Sequence, residues 1–126
     1  MPSGPDTLHV WTDANGIRWI HVTTPIFRTV DSLGVGVHLA RVLTLPDLEG
    51  GVGDGADAFV VYPRTGPHCG LSFWLDAATA VALDRDTTFR AGRVVGGARL
   101  RSALAPYESS AHITSIDVRR TCSVGR

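Results

Sequence analysis

A chain of 126 residues has room for one compact domain with a single core and no second domain. Hydrophobic residues make up 44% of it and charged residues 19%, which is too apolar and too weakly charged for intrinsic disorder. Twelve arginines balance twelve acids, for a net charge of zero, so no overall field recruits nucleic acid or an anionic membrane. Every fixed positive charge is Arg, with no Lys and no Gln anywhere, a bias that reads as codon usage in a GC-rich genome. No stretch approaches the roughly 20 apolar residues of a membrane span. Residues 1–6 (MPSGPD) lack the basic and apolar regions of a signal peptide and are expected to be a flexible N-terminus.

Residues 8–12 (LHVWT) and 17–23 (IRWIHVT) are rich in β-branched and aromatic side chains and flank an Asn-Gly turn signal, which predicts a hairpin. A tight loop sets Thr12 opposite Ile17, Trp11 opposite Arg18 and Val10 opposite Trp19. Leu8, Val10, Ile17, Trp19 and His21 then share one face, expected to be the buried one, with Trp11 on the other. Pro25 ends the strand for want of an N–H, and residues 27–30 form a short extended piece. In residues 38–45 (HLARVLTL), Leu39, Val42 and Leu43 recur at i, i+3 and i+4, the spacing of a short amphipathic helix that stops before Pro46. Residues 47–57, dense in glycine and acids, read as an exposed acidic loop.

Residues 58–62 (AFVVY) and 70–75 (GLSFWL) read as two strands reversed by the intervening Pro/Gly turn, with Phe59, Val61, Leu71, Phe73 and Leu75 on one side. Residues 76–97 are ambiguous between helix and strand. Residues 98–105 (ARLRSALA) suggest one or two helical turns halted by Pro106. Residues 112–118 (HITSIDV) form a last strand with Ile116 and Val118 on one face. The fold class is therefore α+β, a single domain over residues 1–126 with an antiparallel sheet of about five strands and one or two short helices on one face.

Chemistry-bearing patterns are sparse. Cys69 and Cys122 are an even pair. A bond between them closes a loop of about fifty residues and suits an oxidising compartment. The alternatives are two reduced buried thiols, or a reactive Cys69 beside His68. The five histidines have no metal-ligand spacing. The acids of the glycine-rich segment, Asp47, Glu49, Asp54 and Asp57, offer hard oxygen ligands but miss the calcium-loop patterns, so no metal and no cofactor is assigned. Arg85, Arg90, Arg93, Arg99 and Arg101 make the one basic region, either a phosphate patch or a solvated face. No nucleophile elbow, P-loop or dinucleotide fingerprint is present.

Residues 29–42 (TVDSLGVGVHLARV), with their Val-Gly-x-x-Leu-x-x-Val run into a helix, resemble a pattern found in small bacterial exported domains. Residues 69–76 (CGLSFWLD) are similar to its Gly-Leu-x-Phe strand, and residues 113–122 (ITSIDVRRTC) to its closing strand with a terminal Cys. Ser32, Val37 and the Arg119-Arg120-Thr121 run depart from it. The order of helix, two-strand meander and closing strand is similar to modules of the β-lactamase-inhibitor-protein and outer-membrane-assembly-lipoprotein type. That resemblance implies a non-enzymatic module that binds another protein outside the cytoplasm, its signal peptide absent from this chain.

Two functions follow as expectations. The first is an interaction module contacting its partner through Trp11, Arg18 and Trp74, since Trp and Arg are the residues most enriched at binding hot spots. The second is an aromatic-lined pocket for an apolar molecule, binding it or isomerising it without a cofactor, built from Trp11, Trp19, Phe73 and Trp74 with His21 or Asp117 as polar group. Nucleic acid is not an expected partner, and the sequence leaves the oligomeric state open.

Overall fold

A computed structural model describes residues 8–14, 16–26, 28–29, 31–53, 58–119 and 122. The elements in chain order are β1 (Leu8–Asp13), β2 (Gly16–Val22), α1 (Leu39–Val42), β3 (Leu48–Val52), β4 (Phe59–Pro63), β5 (Leu71–Leu75), α2 (Ala77–Asp84), β6 (Val95–Gly96), α3 (Gly97–Leu104) and β7 (Ile113–Arg119). Two 3₁₀ turns, Thr87–Gly92 and Ala105–Tyr107, flank β6 and α3. The strands form one seven-stranded sheet in the order β1-β2-β7-β5-β4-β3-β6, antiparallel at every pairing. The α+β class stands, with seven strands rather than five.

One row of apolar positions crosses the sheet in register: Val22, Ile116, Phe73, Val61, Gly50 and Val95. Leu39 and Val42 of α1, Ala80 and Leu83 of α2, and Leu100 and Leu104 of α3 pack into the same core, so the helices lie on that face. Phe89, from the first 3₁₀ turn, meets Phe59 edge to face at 4.8 Å, a geometry that adds to its area burial. The expected inward set on β4 and β5 is found, with Phe59, Val61, Phe73 and Leu75 buried.

The additional strands come from segments whose composition hid them. Leu48–Val52 is strand β3, not loop, while the rest of the acidic segment, residues 54–57, lies outside the described residues. Glycine is needed in β3 because a Cβ on Gly50 would stand 2.9 Å from the Val60 carbonyl oxygen and 3.3 Å from Leu100. The absent side chain lets α3 settle directly onto the sheet. β6, two residues long, pairs with β3 at its other side.

The hairpin forms where expected, but its register slips. Thr12 does pair with Ile17; then Trp11 pairs with Trp19, Val10 with Ile20 and His9 with His21, through a bulge that leaves Arg18 as the extra residue. One extra residue exchanges the two faces of everything beyond it. Val22 and half-buried Ile20 therefore face the core, Trp19 and His21 face away from it beside Trp11, and Leu8, Val10 and Ile17 remain exposed on the helix side.

Asp76 joins the helix layer to β7. Its carboxylate caps α2 by accepting from the Thr79 N–H at 3.1 Å and also accepts from the His112 N–H at 3.0 Å, while its own N–H donates to the His112 carbonyl. Burial alone would raise the Asp76 carboxyl, but the hydrogen bonds from His112 and Thr79 outweigh it and hold the group below its ordinary 3.8. Arg101 donates to the carbonyls of Leu43 and Leu45, tying α3 to the exit of α1. Cys69 and Cys122 are bonded, with Cα atoms 5.1 Å apart.

Two outcomes are expected. Intact mass should rise by two hydrogens on reduction, and Cys122→Ser should lose roughly 4 kcal/mol in the chain-entropy account of a loop of 53 residues; equal masses with and without reductant contradict this. A carboxyl with a lowered folded pKa stabilises above its unfolded value and loses that contribution as pH falls through the folded one. Asp76→Asn should therefore cost about 1 kcal/mol at neutral pH and lose less stability than the parent below pH 3.8. Denaturant titrations across that range check both.

Candidate functional site

The sheet face turned away from the helices carries three rows of side chains. Trp11, Trp19 and Arg119 form the first; His9, His21, Asp117 and Ser72 the second; Ser115, Trp74, Val60 and Gly51 the third. Strand alternation explains the set: each of these residues is next in sequence to a residue facing the other way, as Asp117 is to Ile116 and Trp74 to Phe73. Tyr62 and Glu49 continue the polar row on β4 and β3, and the Tyr62 hydroxyl donates to Glu49 Oε1 at 3.2 Å. Arg64 closes that end with Nε 3.3 Å from Glu49 Oε2.

Asp117 is the hub. Its Oδ1 lies 2.6 Å from His21 Nδ1, and its Oδ2 accepts from the Trp74 indole N–H at 2.9 Å. Its side chain is only 15% exposed, a depth at which a carboxylate requires partners. The Trp74 ring reaches over Gly53, where a Cβ would stand 2.9 Å from Cζ3, so a glycine and a carboxylate together fix the indole. Trp11 stacks on Trp19 with centroids 4.8 Å apart and planes 24° apart. The Arg119 guanidinium sits 5.2 Å from the Trp19 ring, within cation–π range. His9 stands 5.9 Å from Trp11 and 6.5 Å from His21. Trp11, 41% exposed, is the most open of the three tryptophans, Trp19 and Trp74 being half-buried.

The three tryptophans of the chain therefore share one face, Trp11 and Trp19 as cross-strand partners and Trp74 two strands further on. Arg18 is apart from them: as the bulged residue it pairs with Asp13 at 3.3 Å. Of the proposed pocket residues, Trp19, His21 and Asp117 join the face, whereas Phe73 is fully buried beneath the helices, because it alternates with Trp74. The sequence pattern assigns no place on this face to His9, Arg119 or Ser72, and it offers Glu49 only as a calcium ligand. The period-2 pattern of the last strand is the available signal, since Asp117 and Arg119 alternate with Ile116 and Val118.

The other candidate groups do not converge. Glu49 is committed to Tyr62 and Arg64, Asp47 is exposed, and Asp54 and Asp57 lie outside the described residues. Among the described residues no three His, Cys, Asp or Glu side chains group as metal ligands. Arg85, Arg90, Arg93 and Arg99 are exposed, but Arg101 is spent on the α1 carbonyls. His68 faces Asp31 at 2.9 Å, and a hydrogen bond from Thr29, followed by that from His68, lowers the Asp31 carboxyl. Among the described residues no helix is long and apolar enough to cross a membrane.

Comparison with family models, curated proteins and solved structures gave no match.

Asp117→Ala should strand the Trp74 N–H and the His21 ring nitrogen together, costing about 1–3 kcal/mol, and Phe73→Ala should cost roughly 3–5 kcal/mol as a core truncation. Urea denaturation measures both. An Asp117→Ala variant within about 0.5 kcal/mol of the parent would show that the network does not hold the face.

Proposed function

We propose that this protein is a non-enzymatic interaction module of an oxidising, extracytoplasmic compartment and that it recognises another protein through the outer face of its sheet. The observation that carries this reading is the stacked Trp11–Trp19 pair, held in place from below yet open above. Stacking against Trp19, itself covered by Arg119, fixes the Trp11 ring before any partner arrives, so little conformational entropy remains to be lost on binding. The rim of His9, Arg119, Ser72 and Glu49 supplies polar groups around an aromatic centre, the composition that distinguishes interaction surfaces from the remaining exterior.

Both oxygens of Asp117 are engaged within the protein, which suits a positioning role better than proton transfer. The small-molecule reading keeps one supporting observation, the His21 imidazole beside the Trp11 and Trp19 rings. It loses a wall where Phe73 faces the opposite side of the sheet. The Cys69–Cys122 bond supports the compartment.

A photoreactive amino acid at position 11, in cells that produce the protein, should form one recurrent adduct of a second protein. The same group at Val81 on the helix side should not. Adding Trp19→Ala should abolish the adduct, and Trp11→Ala should weaken binding of the captured partner by about 2 kcal/mol or more while costing only about 1 kcal/mol of stability. Adducts arising from position 81 alone, or retention of a small apolar molecule in place of a protein, would overturn the proposal.

A further inference from the structure

The two edges of the sheet are unlike. β6, at one edge, is two residues long and follows the exposed Arg93; short strands and nearby charge are the usual means of blunting an edge. β1, at the other, is six residues long, about 20 Å of strand. It contains no Pro, Lys or Arg, and its one charge, Asp13, stands at its turn end. Among the described residues nothing pairs with its outward side.

Both faces of that edge carry exposed apolar side chains. On the helix side Leu8 is 53% and Val10 46% exposed, because the bulge at Arg18 turns them toward the helices while the helices stop short of the hairpin. On the outer side stand His9 and Trp11. A lone docking face would need a partner on one side only, whereas an edge with apolar side chains on both faces and no described strand along its outward side calls for another strand.

We infer that β1 pairs antiparallel with β1 of a second copy of this chain, joining two sheets into one continuous sheet about a twofold axis. The strand is self-complementary. In the register centred on residue 10, which keeps the helix faces aligned, Val10 meets Val10, Leu8 meets Thr12, His9 meets Trp11, and no two like charges stand opposite. The chain as a whole has zero net charge at pH 7, so no long-range repulsion opposes self-association. The pairing also sets the two Trp11–Trp19 stacks side by side on one broad outer face. A single strand seam lies at the low end of specific interface sizes, so dissociation in the micromolar range is expected.

Sedimentation velocity and light scattering on the oxidised full chain, from about 1 to about 500 µM, should show a reversible rise from 13.4 kDa to twice that mass. Val10→Lys and Leu8→Lys place a charge in the seam at exposed positions and should each weaken the dimer tenfold or more. Val94→Lys, an equally exposed apolar position beside β6, should leave it unchanged. Hydrogen exchange on the unaltered chain provides a reading that needs no variant: amides of residues 8–13 should gain protection with concentration, and those of residues 94–96 should not. A chain that stays monomeric throughout, protection of residues 8–13 that is independent of concentration, or a dimer that Val94→Lys disrupts and Val10→Lys does not, would each overturn the inference. None of these outcomes depends on whether a different protein binds the outer face.

Discussion

Ile116 and Asp117 are adjacent on the strand at the middle of the hairpin side of the sheet, and between them they commit its two faces. Ile116 completes the apolar row that runs from Val22 to Val95 beneath the helices. Asp117, turned the other way by the pleat, gathers His21 from one neighbouring strand and Trp74 from the other. Burying Ile116 forces Asp117 outward at a depth where its charge needs partners, and satisfying that charge fixes an imidazole and an indole. The stacked Trp11–Trp19 pair is then built beside an anchored strand rather than on a free hairpin.

A second constraint acts from the far side. Gly50 lets α3 approach the sheet, and Gly53, just past β3, leaves space for the Trp74 ring, so this segment sets the helix layer on one side and the aromatic face on the other by lacking side chains at both points. Flexibility and close packing make the same compositional demand, and a run of glycines among acids does not say which is meant. Spacing to the neighbouring Val60 carbonyl distinguishes them, and spacing is a property of the fold.

Much of the architecture was legible. The inward residues of β4 and β5 and the turn of helix at Leu39 and Val42 follow from alternation and helical spacing, and the Cys69–Cys122 bond is one of the readings an even cysteine count allows. The hairpin faces did not follow, because a single bulged residue, Arg18, reverses them and no local propensity marks it. Phe73 alternates with Trp74, so the pleat that turns the indole outward buries the phenyl ring beneath the helices. The places of His9 and Arg119 on the outer face are set by cross-strand neighbours, and so by the order of strands far apart in sequence.

The bulge is therefore the most consequential feature to test, because it alone brings Trp11 and Trp19 to the same face. Cross-strand nuclear Overhauser contacts between α-protons and amide protons of β1 and β2 report the register directly. The account predicts contacts pairing Trp11 with Trp19 and Val10 with Ile20. Contacts pairing Val10 with Trp19 and Trp11 with Arg18 would return Trp19 to the opposite face from Trp11 and dissolve the stacked pair on which the proposed recognition rests.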